Sequence, residues 1–165
     1  MNRKYNYINC SNPPHRMAYT EWGDSDNAKV LICVHGLTRT GRDFDALASA
    51  LSRYYRVICP DIVGRGQSDW LKKAEDYIYP TYIADILSLL EHLKIGKVDW
   101  IGTSLGGLIG MFIAAKALPP IQRLILNDVG AFIPKEALKR IAKYVLFGQR
   151  QFANFSQVQT YVKEN

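Results

Sequence analysis

A serine stands between glycines in Gly102-Thr103-Ser104-Leu105-Gly106, and Gly107 follows directly. A serine hydroxyl is a weak nucleophile until a base takes its proton and fixed donors receive the charge that develops on the attacked carbonyl. The Gly-x-Ser-x-Gly spacing is common by itself, so its position decides what it means. The apolar run Val98–Ile101 precedes it, and the almost wholly apolar Leu105–Leu118 follows. That order reads as a strand, a sharp turn and a buried helix, the setting of a nucleophile elbow. Side chains two residues to either side of the serine would collide in such a turn; Gly102 and Gly106 remove them. The Ser104 hydroxyl would then project over the carboxyl edge of a sheet, above a helix N-terminus. The plainer alternative is an ordinary glycine-rich turn.

His35-Gly36-Leu37 follows a second apolar run, Val30–Val34. The main-chain N–H groups of Leu37 and Leu105, one from each strand-to-helix loop, are candidates for an oxyanion hole. His35 lies well before the elbow and is read as ordering its loop rather than as a general base. A third loop, Asp61-Ile62-Val63-Gly64-Arg65-Gly66-Gln67-Ser68-Asp69, contains Gly-x-Gly. A dinucleotide fingerprint needs Gly or Ala at its sixth position, opening a helix, and Asp69 stands there. The segment is therefore a tight turn using two glycines. No Walker loop and no metal-ligand cluster is recognisable. The three cysteines, Cys10, Cys33 and Cys59, lack metal-type spacing, and Cys33 and Cys59 read as small buried hydrophobes. Neither a cofactor nor a metal is expected.

These residues need elements to position them. Residues 4–10 and 16–22 alternate in part around Ser11-Asn12-Pro13-Pro14 and predict a hairpin. Val30–Val34, Val57–Cys59, Val98–Ile101 and Leu124–Leu126 are continuously or nearly continuously apolar, as in parallel strands covered on both faces. Between them lie helical patterns. Asp43 is placed to cap a helix presenting Phe44, Leu47 and Leu51. Tyr82–Leu93 carries Ile83, Ile86, Leu87 and Leu90 on one face. Strand and helix alternate, which predicts an α/β fold with a mostly parallel sheet. After Asp128 the alternation stops. Pro134–Phe147 is one amphipathic helix with Leu138, Ile141 and Val145 on its apolar side, and Gly148 is placed to end it. Residues 149–165 are polar with scattered aromatics.

With 165 residues, 48% of them hydrophobic, the composition is that of a globular domain and excludes a disordered tail, a fibre or a disulfide scaffold. No apolar run approaches the ~18–20 residues of a membrane span. The first residues lack the apolar core of a signal peptide, and a reducing, cytoplasmic setting is expected. The net charge of +6 comes from dispersed residues apart from Lys135, Lys139, Arg140 and Lys143. A small-molecule substrate is expected rather than nucleic acid.

Taken together, His35-Gly36, Asp61-x-x-Gly64-x-Gly66-x-Ser68 and Gly102-Thr103-Ser104-Leu105-Gly106-Gly107 resemble, in that order, the N-terminal part of an α/β-hydrolase. The resemblance covers about residues 16–130. It implies a carboxylester hydrolase or a related acyl-transfer enzyme, since relatives that open epoxides or cleave haloalkanes use Asp where Ser104 stands. It implies a core over residues 1–130 and the start of a helical cap over 131–165, the sheet stopping after about six strands. Triads of this fold run Ser, acid, His along the chain. His15, His35 and His92 all precede Ser104. The general base is thus expected beyond Asn165, and this stretch by itself is expected to be inactive. Asp128, at the end of the sixth strand, occupies a place some relatives use for the acid; most place it after a seventh strand. The competing reading is a noncatalytic binding module that kept a hydrolase-like pocket.

Overall fold

The structure is a computed structural model and describes residues 5–147 and 151–164. Residues 1–129 and 130–165 form two compact units. The first holds a six-stranded sheet: β1 (Tyr5–Ser11), β2 (Pro14–Trp22), β3 (Val30–Val34), β4 (Arg56–Pro60), β5 (Val98–Thr103) and β6 (Ile121–Asn127), in the order β1-β2-β4-β3-β5-β6. β1 and β2 are the expected hairpin, and β2 is antiparallel to β4. The four strands from β4 to β6 are mutually parallel.

The apolar strands β3, β4 and β5 are largely buried, as their composition requires, but β6 is not: it is the sheet's edge strand, and Ile125 and Leu126, expected to be covered, are exposed. Val30, Ile32 and Val34 of β3 join Ile58, Trp100 and the helices α2 (Tyr79–His92) and α3 (Leu105–Ala114) on one side. Leu31 and Cys33 join Val57, Cys59, Phe44 and Ala48 of α1 (Asp45–Leu51) and the turn before it on the other. Neighbouring strands β3 and β5 therefore send their following helices, α1 and α3, to opposite faces. The carboxyl edge between β3 and β5 is thus the point where the crossovers change face, which is where ligands of open α/β sheets bind.

Several boundaries differ from the sequence reading. Thr40, not Asp43, opens the first helical segment: its Oγ1 accepts the Arg42 N–H at 3.3 Å, while Asp43 lies inside a single 3-10 turn and pairs with Arg39 at 2.7 Å. The buried face is Phe44 and Ala48, and Leu47 is exposed. α3 ends at Ala114 rather than Leu118, because residues 115–118 are exposed and Pro119-Pro120 forbids continuation. In the second unit α4 spans Lys135–Phe147, close to its expectation; Gly148 lies outside the described residues. A further helix, α5 (Phe155–Glu164), forms in the polar segment for which the sequence reading predicts no element. Its start signal is Asn154-x-x-Gln157: Asn154 Oδ1 accepts the Gln157 N–H at 3.1 Å, and Gln157 Oε1 accepts that of Ala153 at 2.9 Å.

Trp100 ties the sheet to α3. It is fully buried, its indole N–H donates to the Gly106 carbonyl at 3.1 Å, and it packs where a β-carbon on Gly110 would stand. Replacing it with alanine removes the largest core side chain and leaves a cavity beneath the turn. Trp100→Ala should cost ~3–5 kcal/mol of folding stability, measured by urea denaturation.

Candidate active site

The β5–α3 turn is as tight as its glycines require. A β-carbon on Gly102 would overlap the Gly106 carbonyl, and one on Gly106 would overlap that of Val34. Ser104 sits at the apex with φ 48° and ψ −111°, a conformation that costs a non-glycine residue about 1–3 kcal/mol. Three bonds hold it there. The Ser104 N–H donates to Asn127 O on β6 at 2.9 Å, and its carbonyl accepts from Gly107 and Leu108 at 2.9 and 3.0 Å, the first bonds of α3. Its side chain is half-buried at the helix N-terminus, where Leu105 N–H has no intrahelical acceptor.

The loop after β3 lies against this turn. A β-carbon built on Gly36 would touch the Ser104 β-carbon at 3.6 Å. The Gly36 carbonyl is pinned by His35 Nδ1 at 2.7 Å and by the Arg39 N–H at 3.3 Å. A trans peptide points its N–H opposite to its carbonyl, so pinning that oxygen fixes the direction of the Leu37 N–H. That N–H has no acceptor among the described residues. Arg65 holds the next carbonyl, with Nε donating to Leu37 O at 3.0 Å and Nη1 to Val63 O at 2.8 Å. Its guanidinium also lies 5.5 Å from the Tyr82 ring centre and 5.9 Å from that of Tyr77. Both main-chain groups flanking the Leu37 nitrogen are thus fixed from outside the loop.

His35 is fully buried. Nδ1 bonds a carbonyl and must carry the proton, and Nε2 accepts the Ile62 N–H at 2.9 Å. Both ring nitrogens are committed to backbone, and burial lowers the imidazole pKa below its usual value. This is the loop-ordering part expected of it, and it leaves no free nitrogen for a base. Asp61 orders the loop after β4: one oxygen accepts the Gly41 N–H and the other the Gln67 N–H, both at 2.8 Å, while Ser68 Oγ donates to its carbonyl at 2.6 Å. A β-carbon on Gly66 would overlap the Asp61 carboxylate. The Gly-x-Gly of this loop is therefore a seat for a protein carboxylate.

Asp128 follows Asn127 directly. It is exposed, has φ 56°, and accepts no hydrogen bond among the described residues. His92 ends α2, which leads into the amino end of β5, whereas Ser104 lies past its carboxyl end, about 20 Å away along six residues of strand. His15 is buried with Asp85, its Nε2 3.0 Å from Asp85 Oδ2. Of the candidate residues, Gly102, Ser104, Leu105 and Gly106 share one turn, against which the Gly36-Leu37 loop packs. The three histidines do not join them.

The fold also brings together a group of residues that the sequence reading did not single out. Cys10, His15 and Asp85 bring three metal-ligating atoms within 4.8 Å of one another, all buried. They come from β1, β2 and α2, so no chain spacing could reveal the cluster. Burial, with help from Asp85, pushes the Cys10 thiol up to about 12. Burial likewise raises the Asp85 carboxyl, outweighing the opposing effect of His15.

Comparison with known proteins adds an independent line. The family described as alpha/beta hydrolase fold matches residues 29–163. The chain is 52% identical over 141 residues to a 3-hydroxybutyrate-oligomer hydrolase of Cupriavidus necator, covering 84% of this chain and 48% of that protein. It is 30% identical over 146 residues to a haloalkane dehalogenase of Mycolicibacterium paratuberculosis, covering 88% and 47% respectively. Among solved structures, an alpha/beta hydrolase from Novosphingobium aromaticivorans superposes with a TM-score of 0.88 at 36% identity, over 99% of this chain and 56% of that one. The chain spans about half the length of the curated relatives it matches.

The buried, neutral His35 sets a pH dependence. Its pKa is lower folded than unfolded, so its contribution to stability is complete above the unfolded value, about 6.5, and declines as pH falls below it. In His35→Gln the amide can accept from Ile62 and donate to Gly36 but cannot titrate. Urea denaturation across pH 5 to 8 should show a shallower acid-side loss in the variant than in the parent, by up to ~1.4 kcal/mol per pH unit.

Proposed function

The chain belongs to the α/β-hydrolase fold family and is a hydrolase by that kinship, and from that premise we propose that Ser104 is the nucleophile of a carboxylester hydrolase. The observation that carries the reading is the strained Ser104 apex at a helix N-terminus, with the Gly36 backbone packed against its β-carbon. Ser104 Oγ attacks the ester carbonyl, and the N–H groups of Leu37 and Leu105 receive the oxyanion. The alcohol leaves with a proton, and water releases the acid from the acyl-enzyme. No metal or nucleotide enters this sequence of steps.

The general base would come from chain beyond Asn165. Supporting this are the commitments of His15 and His35, the remote position of His92, and the 48% share of the C. necator hydrolase that the chain covers. Asp128 is the candidate acid within the chain, directly after the strand whose Asn127 carbonyl holds Ser104. The substrate class we favour is an oligomeric ester of a short hydroxy acid, as the name of the 52%-identical relative suggests. Such oligomers end in a carboxylate, and the +6 net charge favours encounter with anions. A hydroxyl at position 104 suits acyl transfer, which separates this reading from the dehalogenase likeness. A cytoplasmic enzyme is supported by three unpaired cysteines, all buried.

In the full-length protein, Ser104→Ala should lower kcat on an activated short-chain ester by roughly a thousandfold or more, with an unchanged circular dichroism spectrum. Substantial turnover in that variant would defeat the assignment. Asp128→Asn reads the acid: a loss of orders of magnitude identifies it, and a loss under about tenfold assigns the acid elsewhere.

A further inference from the structure

The hairpin holds a second chemical cluster, on which the proposed hydrolysis makes no demand. Cys10 of β1, His15 of β2 and Asp85 of α2 are each at least nine-tenths buried. Their ligating atoms lie within 4.8 Å of one another. The bonding around His15 defines its state. Nδ1 lies 2.7 Å from the Pro13 carbonyl, an acceptor only, so Nδ1 carries a proton. Nε2 then faces Asp85 Oδ2 at 3.0 Å, and without a further proton two lone pairs would oppose each other. One proton must lie between them. Cys10 Sγ, the third ligating atom, lies within 4.8 Å of those of His15 and Asp85.

We propose that Cys10, His15 and Asp85, whose buried ligating atoms the fold brings together, form a binding site for a thiophilic divalent metal ion, Zn2+ foremost.

The chemistry balances. The ion forms bonds to Cys10 Sγ, His15 Nε2 and one Asp85 oxygen. The thiol proton and the proton shared by His15 and Asp85 leave to solvent, and nothing is oxidised or reduced. Two positive charges replace two, so the buried cluster is neutral before and after, and exchange does not leave an uncompensated charge in the core. The donor set also selects the ion. Thiolate, imidazole and a single carboxylate suit Zn2+ or Co2+, whereas Mg2+ and Ca2+ require a shell of oxygens. The second ring nitrogen of His15 donating to a main-chain carbonyl is the arrangement that orients metal-bound histidines. Tetrahedral coordination at ~2.0–2.1 Å for nitrogen and oxygen needs those ligands ~3.3 Å apart. The His15–Asp85 separation of 3.0 Å therefore has to widen by only a few tenths of an ångström. A cavity of about 750 Å3 borders the hairpin at His15, lined also by Pro13, Pro14, Asp69, Trp70 and Leu71, and neither Cys10 nor Asp85 lines it.

The test is titration of the purified protein with Co2+, followed by absorption. The proposal expects a near-ultraviolet thiolate-to-cobalt band and visible bands of tetrahedral intensity, saturating at one ion per chain and bleached by Zn2+. Cys10→Ala, a small change in a packed site, should abolish the thiolate band. His15→Gln and Asp85→Asn should each weaken binding by about tenfold or more. Because the latter two could disturb the hairpin, Zn2+-dependent melting is the second readout: Zn2+ should raise the Tm of the parent and not that of Cys10→Ala. Absence of the thiolate band in the parent, or its persistence in Cys10→Ala, overturns the site. Ser104→Ala should leave every metal signature intact, so failure of the hydrolase reading and failure of this one are separable.

Discussion

The close approach of Gly106 to the Val34 carbonyl, with Gly102 pressed on Gly106 from the same turn, is the constraint on which the site depends. It lets α3 begin immediately after β5 and directly over the end of β3. A β-carbon at either glycine would push the helix away from the sheet and relax the turn. Ser104 would then lose the main-chain geometry that turns it away from both the strand and the helix. The strain held at Ser104 is tolerated because both its N–H and its carbonyl are bonded, one to β6 and the other to α3. Trp100 secures the same turn from below by taking the Gly106 carbonyl. Sheet, helix and apex therefore form one mechanical unit.

That unit explains why the loop after β3 can be short and still well placed. Val34 is paired in register with Gly102, so the residues after each leave the sheet side by side. His35 turns inward, and its imidazole joins the Gly36 carbonyl to the Ile62 amide across the carboxyl ends of two strands. Arg65 closes the other side by holding Leu37 O. Donors aimed at a developing negative charge are effective when their orientation is fixed beforehand. Here the fixing is done by a buried neutral imidazole and a guanidinium stacked near two tyrosines, neither of which needs to touch a substrate.

The legible part of this structure was the part governed by local rules. Continuous apolar runs announced parallel strands, and the glycine pattern around Ser104 announced the turn, because both follow from what one stretch of chain must bury or avoid. The cap at Thr40 was missed because the aspartate three residues on satisfies the same preference on paper, yet it is drawn to Arg39. The end of α3 was placed too late because Ala115–Leu118 are apolar enough to continue a helix but find no core to cover them. α5 was missed although Asn154 and Gln157 mark its start and Phe155, Val158, Tyr161 and Val162 recur at helical spacing.

What the sequence hid was cooperation between distant elements. Arg65 was visible only as the residue between two loop glycines, and nothing local says that its guanidinium reaches back to Leu37. Cys10, His15 and Asp85 are a sharper case. The first two face each other because the hairpin register sets Cys10 opposite His15. Asp85 arrives from the buried face of α2, one position before Ile86, in the layer that covers the sheet. A carboxylate on that face needs partners, and the hairpin provides a thiol and an imidazole. A salt bridge alone would have met that need with one basic residue. The presence of a third, sulfur-bearing group within 4.8 Å of the other two ligating atoms, accompanied by a histidine oriented through its far nitrogen, is what distinguishes a ligand set from a simple tether between hairpin and helix.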